Sequence, residues 1–99
     1  MQSLLNTPLV LIDKEFVGSL SFPKEEVLDN PALEARRMNK LFQAAKLGNL
    51  EKHKVQIDFQ DNTGLKRVHT TIWSITERFV ILKSNTRIPI NRIVEIKML

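Results

Sequence analysis

Any catalytic or metal site in this chain would have to be built around His53 and His69, its two histidines, and the five carboxylates that residues 36–99 contain. Zinc needs three or four converging ligands. If the strands on either side of residues 61–64 pair antiparallel, His69 falls opposite about Gln56 and the two histidines do not meet. Thr70, Thr71 and Ser74 flank His69. A hydroxyl nucleophile needs a base within hydrogen-bond reach, and threonine in a strand is first of all a strand former. The three glycines, Gly18, Gly48 and Gly64, are scattered and make no phosphate-cradling loop. The acidic pair Glu25-Glu26 sits where a helix is expected to begin, and a helix amino end favours negative charge. With no cysteine, thiolate metal sites and disulfides are excluded. The residues therefore predict no catalytic group, no metal and no cofactor, and a chain that is not an enzyme.

The basic residues are more informative. The net charge of +4 divides unevenly: residues 1–35 carry two basic and six acidic residues, and residues 36–99 carry thirteen basic and five acidic. A positive body concentrates polyanions around itself. Arg36, Arg37 and Lys40 fall on a predicted helix, and Lys54, Lys66 and Arg67 gather near a predicted hairpin. Trp73 is the one tryptophan in a chain with five phenylalanines and no tyrosine. It is the candidate platform for stacking a base. Its plainer reading is a core residue at a strand bend, since tryptophan is usually mostly buried. These seven residues are the candidate nucleic-acid contacts, and RNA or a nucleic-acid-associated protein is the expected partner.

The elements that would position them begin with residues 31–47. Asn30 can cap a helix with Pro31 in its first turn. Ala35, Met38, Leu41, Phe42 and Ala45 fall at helical spacing and predict one apolar stripe. Gly48 is placed to end the helix in a left-handed conformation. Upstream, Pro23 followed by two acids predicts an earlier helical turn that ends near Asp29. Residues 9–12 and 16–20 are apolar runs, read as two strands or as one extended arm. Residues 1–6 are expected to fray.

From residue 52 the period changes to two. Val55, Ile57 and Phe59 alternate with polar residues, and residues 61–64 form a hairpin loop with Gly64 at positive φ. Residues 65–75 read as one long strand that bends near Trp73. Residues 79–82 are continuously apolar, which predicts burial on both faces. Asn85 suits a tight turn, Pro89 an edge, residues 90–92 a helical turn and residues 93–96 the closing strand.

Helix, long bent strand, short turn and last strand together resemble a small barrel of the Sm-like type. The ending, Ile88-Pro89-Ile90-Asn91-Arg92-Ile93 and then Val94-Glu95-Ile96, is similar to the tail of several Sm-like families. Across about residues 38–97 the pattern resembles the Rho-binding antiterminator family, with Asn91-Arg92-Ile93 standing where those proteins have a hydrophobic-Asp-Arg-Leu/Ile step. That family tends to be acidic and this body is basic, so the resemblance implies the fold more than the partner. The resulting expectation is a mainly β single domain over 1–99: an apolar arm at 1–22, a helical segment at 23–48 and a five-stranded Sm-like barrel at 52–98.

Ninety-nine residues with 42% hydrophobic composition can supply one core. No run approaches the roughly 20 apolar residues that span a bilayer, and no positive leader precedes the first apolar run. A cysteine-free domain of this size suits the cytoplasm. The apolar arm is also a candidate for pairing with an open edge of another copy, giving a homo-oligomer.

Overall fold

The computed structural model describes residues 8–83 and 85–99, and for 49–51 the backbone alone. The fraying predicted for residues 1–6, and Ser84 beside the Asn85 turn, lie outside the described residues.

Asn30 begins the helix as its sequence suggests. Its Oδ1 accepts from Ala32 N (2.8 Å) and Leu33 N (3.4 Å), with Pro31 in the first turn. The helix, α1, spans Pro31–Glu51. It does not stop at Gly48. Lys52, at φ 54°, takes the left-handed position, and its N–H bonds back to the Gly48 and Leu47 carbonyls. Gly48 answers a different need. A Cβ there would lie 2.4 Å from the Ile72 carbonyl oxygen, so only glycine lets the helix end approach the sheet so closely.

The buried face of α1 is also rotated from the predicted stripe. Arg37, Leu41, Ala44 and Gly48 are buried, whereas Ala35 is exposed and Phe42 is 56% exposed. Positions 37, 41, 44 and 48 keep helical spacing. Arg37 disguised the pattern, because a cation reads as an outward residue unless a partner neutralises it.

The strands β2 (Val55–Gln60) and β3 (Leu65–Thr70) form the expected hairpin, with Gln56 opposite His69 and Gly64 at φ 143°. Val55, Ile57 and Phe59 are fully buried, as the two-residue period requires. Each such side chain contributes about 1.5–3 kcal/mol. Thr71 interrupts the long strand, and β4 (Ile72–Ile75) then pairs with β5 (Phe79–Leu82) instead of β2. Strand β5 buries Val80 and Leu82 fully but leaves Phe79 and Ile81 only partly covered, so one face is buried rather than two. Asn85 has φ 61°, and β6 (Arg87–Pro89) is an edge strand, as its proline implied. A 3-10 turn, Ile90–Arg92, leads into β7 (Ile93–Met98), which pairs with β2.

The leader departs from its reading. Strand β1 (Val10–Leu11) runs parallel to β3, with Ile12 N donating to Arg67 O at 2.9 Å. The second apolar run is a 3-10 helix, Lys14–Ser19, which buries Val17. Residues 23–28 make no helical turn. Their polar groups are taken by the turn before β7. Asn91 Nδ2 donates to Lys24 O (2.6 Å), Arg92 Nη1 donates to Glu25 O (2.6 Å) and Val27 N donates to Asn91 O (2.9 Å). These bonds replace those a helix would have made, and the segment lies across the body as a strap. Phe22, at its start, sets its ring 5.9 Å from that of Phe59.

The architecture among the described residues is therefore one α-helix with strands in two sheets, ordered β1-β3-β2-β7 and β4-β5-β6. Among the described residues no ladder joins the two sheets into a closed five-stranded barrel. The 3-10 turn, to which the strap is bonded, separates β6 from β7 along the chain, and the chain changes ladder partner at Thr71. Among the described residues no helix is long and apolar enough to cross a membrane.

Candidate nucleic-acid interface

Four of the seven predicted contacts are engaged within the domain. Arg37, with its side chain 6% exposed, grips Glu26 through both terminal nitrogens at 2.6 Å and also donates to Ile93 O. Arg67 meets Asp58 through two bonds, at 2.8 and 3.0 Å. Lys66 donates to Asp61 (3.0 Å) and to Thr63 Oγ1 (2.7 Å). Lys40 donates to Glu95 at 2.8 Å.

The Asp61 site shows why such a cation is architectural. Its carboxylate accepts from Thr63 N, Thr63 Oγ1, Gly64 N and Lys66 Nζ, which closes the hairpin loop. Burial by itself would raise this carboxyl, but the bonds from Thr63 and Lys66 outweigh it and hold it below the ordinary 3.8. Glu26 behaves likewise: burial raises it, and the Arg37 bonds and charge with the Leu28 N–H carry it below 4.5. At Glu95 burial is opposed by the Lys40 bond, the Ile96 N–H and the charges of Lys40 and Arg36, and the result is again a lowered carboxyl. Arg36 thus lends charge to Glu95 while remaining exposed. Lys54 is exposed at the start of β2.

His69 Nε2 lies 3.1 Å from the Gln56 side chain. With that amide turned so that its nitrogen donates to His69, its oxygen accepts from Arg67 at 3.2 Å. His69 is therefore part of a cross-strand polar row. Among the described residues no three His, Cys, Asp or Glu side chains converge as a metal site.

Trp73 is placed differently. Ile72 pairs with Leu82 and Ser74 with Ile81, so Trp73 has no partner on β5 and is the extra residue of a β-bulge. A bulge re-aims a side chain, and Trp73 is 48% exposed. It lines an open hollow of about 500 Å³ with Gly48, Lys52, Thr71 and Lys83. Two features hold the lysines there. Lys52 caps α1, whose end Gly48 seats against Ile72. Lys83 N donates to Thr71 O at 3.0 Å, which ties the turn after β5 to the beginning of β4. Neither lysine has a carboxylate partner among the described residues. Their sequence positions gave no sign of this, because 52, 73 and 83 meet only through the helix end and the bulge.

A second hollow, of about 680 Å³, lies between the strap and the turn at 77–78. Its Glu26 and Arg37 satisfy each other, and Glu77 shares the lining with Lys24 and Arg78, so its charge is mixed. The Trp73 hollow combines an exposed π-face with two lysines that have no carboxylate partner among the described residues.

Comparison with family models, curated proteins and solved structures finds no match to this chain.

Proposed function

We propose that this chain is a small, non-enzymatic RNA-binding domain of Sm-like kind, acting as a regulator in the cytoplasm. The observation that carries the reading is Trp73, set on the surface by a bulge in one hollow with Lys52 and Lys83. Stacking on an aromatic ring and phosphate contacts from lysine are the two ingredients of single-strand binding. Lys24, Arg36, Lys46, Lys54, Arg78 and Lys97 also form no salt bridge among the described residues, which leaves positive charge outside the hollow as well. The Sm-like part of the proposal is supported by strand succession. From β7 through β2 to β3 one sheet is built, and the chain continues at Thr71 into β4, β5 and β6.

The experiment is titration of a labelled single-stranded RNA by fluorescence anisotropy at low and moderate salt. Affinity should fall steeply with salt, because each phosphate contact releases counterions. Absence of binding at low salt overturns the proposal.

One observation favours a second reading, self-association without nucleic acid. Leu9, Val10, Leu11 and Phe16 are 39–61% exposed along the arm, and β1 is an edge strand. A second copy pairing there would cover them. Sizing of the protein alone checks it: a stable dimer abolished by Leu11→Lys supports this reading, and a monomer at high concentration removes it.

A further inference from the structure

We infer that the Trp73 hollow admits one unstacked base of a single strand, whatever that base is, and excludes duplex. This rests on the RNA-binding reading and specifies its ligand.

Three observations carry it. The first is the shape of the site. Trp73 lies within a hollow of about 500 Å³ instead of on a flat face. Ligand sites of about 300–1,000 Å³ enclose drug-sized molecules, so there is room for a base with its sugar but none for a stacked pair of strands. Inside a duplex both faces of every base are covered by its neighbours. Only a base swung free can lay a face on Trp73.

The second observation is the charge. Lys52 and Lys83 are both exposed residues of the lining. The carboxyl end of α1 sets roughly half a negative charge against them. Two full positive charges outweigh it, and the described lining holds no carboxylate. The phosphates flanking the inserted base have lysines to meet, whereas no side-chain amide or carboxylate among the described residues of the lining meets its edges. Stacking accepts any base, because every base has a π-face, so the site does not read sequence.

The third is backbone strain. Lys52 holds φ 54° where glycine or asparagine would sit more easily. Strained positions gather at functional sites. Here the strained residue carries one of the two charges, and the cap that holds it fixes where that charge stands.

Trp73 is the only tryptophan, so the intrinsic fluorescence of the full chain reports on this hollow alone. The chain is titrated with a single-stranded oligouridylate, a single-stranded oligoadenylate and a long blunt RNA duplex at equal phosphate concentration, with anisotropy of labelled RNA read in parallel. Both single strands should quench Trp73, and the duplex should leave its emission unchanged. Trp73→Ala should weaken single-strand binding about 5- to 150-fold by anisotropy. Lys52→Asn keeps a residue that tolerates the left-handed cap and removes the charge. That variant and Lys83→Gln should each flatten the plot of log affinity against log salt by about 0.7. Lys83→Gln, on an exposed turn, serves if the cap variant misfolds. Equal quenching by duplex overturns the inference. So does quenching by only one of the two single strands. Binding seen by anisotropy with unchanged Trp73 emission also overturns it, and leaves the RNA-binding reading standing. Absence of binding by anisotropy removes both.

Discussion

The hairpin side of the molecule and the Trp73 side both carry lysine and arginine, and they use them in opposite ways. On the hairpin side Lys66 closes on Asp61 and Arg67 on Asp58, so the charges cancel and the loop is locked. On the other side Lys52 and Lys83 stand beside an exposed ring with no carboxylate among the described residues of the lining. Net charge is thus a poor guide to where a polyanion would land. Neutralised cations hold the fold together, and only the unneutralised ones are available to a ligand.

The contrast can be broken hardest at Asp61. Asp61→Ala strands Lys66, 13% exposed, and the Thr63 and Gly64 amides without their acceptor. Breaking a buried pair from one side costs about 3–5 kcal/mol. Urea denaturation should show a loss of that size, with RNA affinity of the remaining folded protein unchanged.

Acid tests the same side without mutation. Asp61 and Glu26 are held below their ordinary 3.8 and 4.5, so the folded state binds these protons more weakly than the unfolded chain. Their stabilisation is complete above about pH 4.5 and is lost as pH falls through the lowered folded values. Thermal melting should be insensitive to these two groups from pH 7 to 5 and fall steeply below 4. An Asp61→Asn variant, whose own melting point is lower, should show a shallower fall.

Gly48→Ala tests the support beneath the Trp73 side. The new methyl would press on the Ile72 carbonyl, and overpacking of this kind costs about 1–3 kcal/mol. Because it lifts the helix end, it should also change Trp73 emission in the absence of any ligand.

Lys52→Gly separates stability from binding most cleanly. It relieves a left-handed lysine and should raise stability by about 0.5–1 kcal/mol, while weakening RNA binding. A variant that melts higher and binds worse sharpens the comparison, and one that binds as before removes Lys52 from the site. The smallest stability effect belongs to Trp73→Ala and Phe42→Ala. Both residues are about half exposed, and surface changes stay within about 0.5 kcal/mol. A loss of several kcal/mol at Trp73, seen in urea, would return it to the core.

Local chemistry was readable in the sequence wherever a single residue decides it. Asn30 and Pro31 start the helix, Gly64 and Asn85 take positive φ, Pro89 ends at an edge, and the 61–64 loop sets Gln56 against His69. What stayed hidden depended on distant partners. Arg37 is buried because Glu26, eleven positions earlier, neutralises it, and that moved the helix face off Phe42. Residues 23–28 have a good helix-start composition, but Asn91 and Arg92 bid for their carbonyls from the far end of the chain. The bend near Trp73 was visible as a change of phase. Its form, a bulge that exposes the ring and gathers Lys52 and Lys83 around it, was not, because no local pattern marks which residue a ladder skips.

The strap on the turn before β7 also sets the order of events as the chain is made. Its bonds join residues 64 to 67 apart in sequence, and β7 must then pair along β2. Helix α1 and the 55–70 hairpin are local and can form early, whereas contacts of such long range close late. Until residues 91–99 have been synthesised, one edge of β2 and the strap at residues 24–27 have nothing to dock on. A nascent or truncated chain lacking residues 91–99 would expose an unpaired strand edge beside a hydrophobic core, the usual starting point of aggregation. Residues 91–99 decide whether the domain folds or aggregates.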